Sequence, residues 1–286
     1  MDMSLPPFPK KLHGPLFTEI IPTFVHEVNP RRLVELGAIV IKKGRKPIYD
    51  PLKDSLLKLQ WVKLVGLKAI AIEKEMIDQL EPNTAIMNPL GQTAHALCIT
   101  DCIVHTKSAL DCMAVFLTDL LNLKVGGAHR DFKLGRFRQL VSKREPSLRV
   151  PIKNLTPWLD QLQKIRDEWI HRSTFNCSII HGKSSVGLLP IPKNVMASEK
   201  EQSKFPVTED YYLSTTKFVG AYYSNLLYLF NSIVDCSLRI ERKDFKEKLD
   251  FPVDIEKQLT LFRTKTTEDM TLDKMKVKLS KSMTDW

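Results

Sequence analysis

Side chains suited to burial return through Gln92–Leu123 at Ile99, Cys102, Ile103, Thr106, Leu110, Met113, Phe116, Leu117 and Leu120. That is a wide stripe at helical spacing, and it predicts a central helix roughly 50 Å long if unbroken. A second helix is expected over Asp54–Leu80, where Leu56, Leu57, Trp61, Leu64, Val65, Ile72 and Met76 recur, although Gly66 interrupts the run. Thr156 and Pro157 suit an N-cap and a first helical position, and Trp158, Leu162, Ile165 and Trp169 then follow at i, i+4, i+7 and i+11. Tyr211–Arg239 is expected to form another long helix, with Leu213, Val219, Tyr222, Leu226, Leu229, Ile233 and Leu238 on its inner edge.

Two stretches read differently. Ala38–Ile41, the basic run Lys42–Lys46 and Ile48–Tyr49 suggest a short hairpin, and Phe175, Cys177 and Ile179 alternate before a turn and a return over Val186–Ile191. The pattern therefore predicts a mainly α fold, an antiparallel helical bundle with one or two small β-hairpins and an N-terminal extension. Proline-containing punctuation at 81–91 places the extension at 1–91. The helical core is 92–243, with a hairpin insertion near 174–192, and a charged tail occupies 244–286.

Composition narrows the setting. The chain has 286 residues, 43% of them hydrophobic, which is ample for a buried core. Lys and Arg outnumber Asp and Glu by 43 to 33, a net +10 that suits an anionic partner. Five cysteines without a regular framework fit a reducing compartment, and no apolar run is long enough for a membrane span or a signal peptide, so a cytoplasmic protein is expected. The densest basic segment is Lys124–Arg149, eight Lys and Arg against Asp131 and Glu145, with Phe132 and Phe137 interleaved. Those two rings could stack bases, but they fit a core better. Arg130, Lys133, Arg136 and Arg138 from this segment, with Arg172, are the residues expected to hold a phosphate backbone. The run Lys42–Lys46 fits phosphate contact less well than a solvated loop.

The candidate chemistry lies at Lys164–Ser173. Asp167 and His171 are spaced i, i+4, so on a helix the carboxylate can fix the imidazole tautomer and raise its basicity. Arg166 precedes His171 by five positions, about 500° of helix, which leaves the two roughly 140° apart. They meet only if the helix ends near His171 or a second chain supplies one of them. These residue types suit attack of an RNA 2′-hydroxyl on its adjacent phosphate: His171 moves the proton and Arg166 stabilises the phosphate charge. The same residues also fit a solvated ion-paired face, with His171 as a cation favourable to the helix C-terminus.

Arg166-Asp167-x-x-x-His171 resembles the Arg-x(4 to 6)-His signature of the HEPN superfamily, in which Asp is a common residue after Arg. Lys107-Ser108-Ala109-Leu110-Asp111 resembles the first core helix of several HEPN groups, and together the two cover roughly residues 92–240. The resemblance implies a helical bundle that dimerises so that two copies line one metal-independent endoribonuclease site. Arg166 and His171 would be catalytic, Asp167 supporting, and no cofactor would be needed. The first ninety residues and the hairpin after His171 depart from the minimal bundle. Expected partners are single-stranded RNA, a second copy of the chain, and a regulatory or antitoxin-like protein, with a role in stress response or defence. The alternative is a non-catalytic HEPN-like scaffold that binds RNA or protein.

Two further sets were candidates. His95, Cys98, Cys102 and His105 fall on one face, but span about 15 Å along a helix against the ~2.0–2.3 Å reach of a zinc ligand, so packing is expected. Asp111, on a largely apolar helix, needs a partner if buried, and Arg166 is a candidate.

Overall fold

The computed structural model describes residues 30–78, 89–171, 178–180, 186–191, 211–243 and 245, and these are mainly α-helical. Among the described residues six α-helices are seen: α1 (Pro30–Lys42), α2 (Lys46–Asp78), α3 (Pro89–Leu120), α4 (Gly135–Arg144), α5 (Arg149–His171) and α6 (Thr215–Lys243). Short strands β1 (Ser178–Ile180), β2 (Val186–Ile191) and β3 (Tyr211–Ser214) pair antiparallel in that order, with Ile179 opposite Gly187 and Leu189 opposite Leu213. The chain divides into two compact units. Of the described residues, those from Pro47 to Ile233 lie in one, and Pro30–Lys46 with those from Val234 to Lys243 in the other.

The smaller unit corrects the hairpin expected at 38–49. Leu36, Ile39 and Val40 are buried at i, i+3 and i+4, a helical rather than alternating choice, and the basic run is the end of α1. Gly44, at φ +64°, supplies the left-handed turn: its N–H donates to Ile41 O at 3.0 Å and that of Arg45 to Val40 O at 2.9 Å, a Schellman cap. Charges then join α1 to the last turns of α6. Glu241, fully buried, lies 2.6 Å from Arg45 and 3.1 Å from Lys43, while Arg32 pairs with Asp235 and Arg242 with Glu35.

In the larger unit α2 and α3 run antiparallel. Asp54 and Lys58 influence Cys112, Trp61 stacks on His105 with centroids 5.7 Å apart, Lys68 influences Cys98, and Glu73 lies 3.6 Å from His95. Every position of the stripe predicted for α3 is buried. Its buried hydroxyls are satisfied within the helix, Thr106 donating to Cys102 O and Thr118 to Ala114 O, each at 2.7 Å. Asn122, at φ 49°, ends α3 as Gly44 ends α1.

The buried face of α2 is only in part the one predicted: Val65 and Met76 are buried, but the rest of the row is different. Leu52, Ser55, Leu59, Val62, Gly66, Ala69, Glu73 and Met76 face inward, whereas Leu57, Trp61 and Leu64 are each about half exposed. Gly66 lies in the buried row because α6 comes close: a Cβ there would fall inside the envelope of Val219 Cγ1, with Cβ and Cγ2 each 3.4 Å away.

The start of α5 is also corrected. The helix begins at Arg149, two turns before Thr156, and carries Pro157 in its interior. Thr156 does not cap; its hydroxyl donates back to Ile152 O at 2.8 Å. Proline leaves one carbonyl without its helical donor, and tertiary packing outweighs that cost. Trp158, Leu159, Leu162, Ile165 and Trp169 are buried, Trp158 edge-on to Tyr222 at 5.9 Å and Trp169 against Phe218 at 5.6 Å. The helix expected to begin at Tyr211 begins at Thr215, after β3.

Candidate active site

Burial of Trp169 sets the rotation of the last turns of α5. Helical geometry then puts position 166 about 60° from the buried direction, and positions 167 and 171 about 160° from it, on the opposite side. Arg166 and Asp167 are both half-buried. Asp167 has a local partner that the sequence offered at i−4: Gln163 Nε2 donates to its Oδ1 at 2.6 Å. His171 is the final helical residue, while its side chain and the whole of Arg172 lie outside the described residues. Because α5 is helical through His171, one chain keeps positions 166 and 171 about 140° apart around the axis and about 7.5 Å apart along it. The structure thus brings Asp167 and position 171 to one face, and does not bring Arg166 to that face.

The basic segment lies beside this helix. Arg138, whose side chain is 11% exposed, pairs with Asp160 of α5 at 2.7 Å, which anchors α4 to α5. Phe132 and Phe137 are buried edge-to-face, centroids 5.4 Å apart, so they belong to the core. Arg130 is half-buried, its Nε donating to Val125 O at 3.5 Å. Lys133 and Arg136 are exposed, Lys133 with its Nζ 3.7 Å from Asp131. Lys124, Lys143, Arg144 and Arg149 of the same segment are exposed as well.

Asp111 is not the partner of Arg166. It pairs with Lys107 one turn earlier and its side chain is half exposed, and the same Lys107 lies 3.3 Å from Asp131. One lysine thus fastens the segment before α4 to α3. The pairing follows from i, i+4 spacing within one helix, which competes well with any long-range partner.

A buried polar group that no spacing in the sequence signals lies at the start of α6. His95, fully buried, has Nε2 3.0 Å from Thr215 Oγ1 and 3.6 Å from Glu73 Oε2, tying α2, α3 and α6 together. Thr215 is one turn from Phe218, which contacts Trp169, so this group and the α5 motif lie at the same end of the unit. The other members of the α3 set go elsewhere. Cys98 and Cys102 are buried, burial pushing Cys102 up to about 12, and His105 lies against Trp61. Among the described residues no three His, Cys, Asp or Glu side chains converge in a way that could hold a metal ion, and no helix is long and apolar enough to cross a membrane. Comparison with family models, with curated proteins and with solved structures finds no match to this chain.

Proposed function

We propose that this chain is a HEPN-like, metal-independent endoribonuclease that cuts single-stranded RNA as a homodimer, in stress response or defence. The observation that carries the reading is the continuity of α5 through His171. It keeps Arg166 and His171 of one copy on different faces, so a site that uses both takes them from two copies. In that site His171 removes the 2′-hydroxyl proton and later returns one to the leaving oxygen. Arg166 holds the phosphate oxygens, and Asp167, steadied by Gln163, orients the imidazole. Lys133 and Arg136, with Arg130 and Arg172, hold the strand. A non-catalytic scaffold that binds RNA or a regulatory protein is the second reading. It is favoured by the use of Arg138 in an interhelix ion pair and of Asp167 in a helix-internal bond.

The test is subunit complementation in excess EDTA. Arg166→Ala and His171→Ala should each lower cleavage by ~10²–10⁴-fold, with 2′,3′-cyclic phosphate ends on the wild-type products. Mixing and re-equilibrating the two inactive variants should restore about a quarter of wild-type activity, because half the dimers are mixed and each carries one intact composite site. Inactivity of the folded wild-type dimer, or no recovery on mixing, defeats the proposal.

A further inference from the structure

The turns of α5 that precede the motif carry their charges in one line. With Trp169 marking the buried direction, helical geometry puts positions 149, 153, 160, 164, 167 and 171 within about 35° of a single outward direction. Arg149, Lys153, Asp160 and Lys164 are exposed, while Ile152, Leu155, Leu159 and Leu162 on the other side are buried, so the line holds through Pro157. Asp160 is the sole acid between Arg149 and Arg166 in the sequence, and Arg138 of α4 already neutralises it at 2.7 Å. Arg149, Lys153 and Lys164 carry no ion pair among the described residues. From Arg149 to His171 the line is about 33 Å long. It exists because α5 begins at Arg149; a helix begun at Thr156 would leave Arg149 and Lys153 off it.

We infer that this line is the track of the RNA strand outside the cleaved bond, with Arg149, Lys153 and Lys164 holding successive phosphates as the strand runs along α5 to or from Asp167 and His171. The inference deepens the nuclease reading and rests on it for what happens at the end of the track. Three observations favour a polyanionic strand as the occupant. A helix face kept only for solvent carries both signs in alternation, whereas the cations here have no acid left to answer them. The row is one side chain wide and straight, which suits a thread of charge and gives it room for about five nucleotides. The row is also free of large apolar side chains: the exposed one on α5, Val150, lies about 90° around the helix from it. A lipid surface or a protein partner would need apolar side chains to bury, and a phosphate backbone does not. The track is separate from Lys133 and Arg136, and Arg138, used by Asp160, joins it as part of its floor rather than as a free cation.

The experiment measures binding of a labelled 2′-O-methyl uridine 12-mer, which has no free 2′-hydroxyl and cannot be cut, to the full chain by fluorescence anisotropy across a salt series. Arg149→Gln, Lys153→Gln and Lys164→Gln should each weaken binding by ~3–10-fold and lower the slope of log Kd against log salt by about 0.7, and the triple variant should lower it by about 2. Far-UV CD should not change, because all three side chains are exposed. Lys53→Gln, at an exposed cation of α2, should leave both affinity and slope unchanged. With cleavable RNA the triple variant should raise KM and leave kcat within about twofold, as expected when binding is lost equally from ground and transition states. A triple variant that binds with wild-type affinity and slope overturns the inference. So does a wild type that ignores the 12-mer but binds phosphatidylserine vesicles through these three residues. Binding that follows the three variants in a protein that never cuts RNA keeps the track and removes the nuclease; cleavage with unaltered KM in the triple variant keeps the nuclease and removes the track.

Discussion

Gly66→Ala sets two ordinary rules against each other. In a helix interior the change from glycine to alanine stabilises by ~1 kcal/mol through backbone entropy and propensity. At position 66 the added methyl would sit within the envelope of Val219 Cγ1, with two more Val219 carbons at 3.4 Å. Val219 is 6% exposed and β-branched on a helix, so it holds essentially one χ1 rotamer and cannot swing aside. Relief must come from displacing α6 from α2, an overpacking cost of ~1–3 kcal/mol. The net expectation is a loss of about 1–2 kcal/mol, read by urea unfolding of the full chain with far-UV CD. Val219→Ala alone should lose about 2 kcal/mol by removing two buried methyl-equivalents. In the double variant the new methyl occupies part of the vacated space, so the combined loss should fall short of the sum by ~1–2 kcal/mol. A Gly66→Ala protein more stable than wild type, or additive behaviour of the pair, would refute the close approach of the two helices at this point.

Glu241→Gln should lower stability by about 2 kcal/mol, because it leaves Lys43 and Arg45, both partly shielded, beside a buried neutral group. Amide exchange should localise the effect, with protection falling in α1 and holding in α5; equal protection in both proteins would count against the ionic clasp. Alkaline pH should also destabilise the fold. Burial raises the folded pKa of Cys102 from 9.0 to about 12, so below pH 9 both states bind the proton and nothing is lost. Between pH 9 and 12 only the unfolded chain releases it, and stability should fall by up to ~1.4 kcal/mol per pH unit from this thiol. Cys102→Ala should flatten that slope in a urea series from pH 8 to 11, and an unchanged slope would show that other groups, such as the buried Tyr222, carry it.

What could be read from the sequence was decided by how one-sided each pattern was. The stripe of α3 was fully legible because bulky side chains mark the buried face and the outward row is sparse: Leu90, Leu97 and Val104. The start of α5 was not, because Thr156-Pro157 is a good local signal for a helix start and only the packing of Leu148, Ile152 and Leu155 makes the earlier start favourable. At Leu36–Tyr49 a β-branched run and a basic turn imitated a hairpin. The deciding feature was Gly44 as a helix stop, whose left-handed geometry serves either structure.

The candidate site was legible where its contacts are local and opaque where they cross the fold. The i, i+4 relation of Asp167 to His171 follows from the sequence alone, and so, in retrospect, do the Gln163–Asp167 and Lys107–Asp111 pairs. The Arg138–Asp160 and His95–Thr215–Glu73 contacts join elements distant in sequence, and no spacing announces them. α2 poses the hardest case of this kind. It carries two apolar rows, and side-chain size favours the wrong one, since Leu57, Trp61 and Leu64 outweigh Ser55, Gly66 and Ala69. Inside one chain the small row wins because it lets α6 approach to the distance at which Gly66 is required, gaining contact along both helices. The larger row is then left about half exposed, with Trp61 resting on His105, an arrangement that side-chain size alone does not announce.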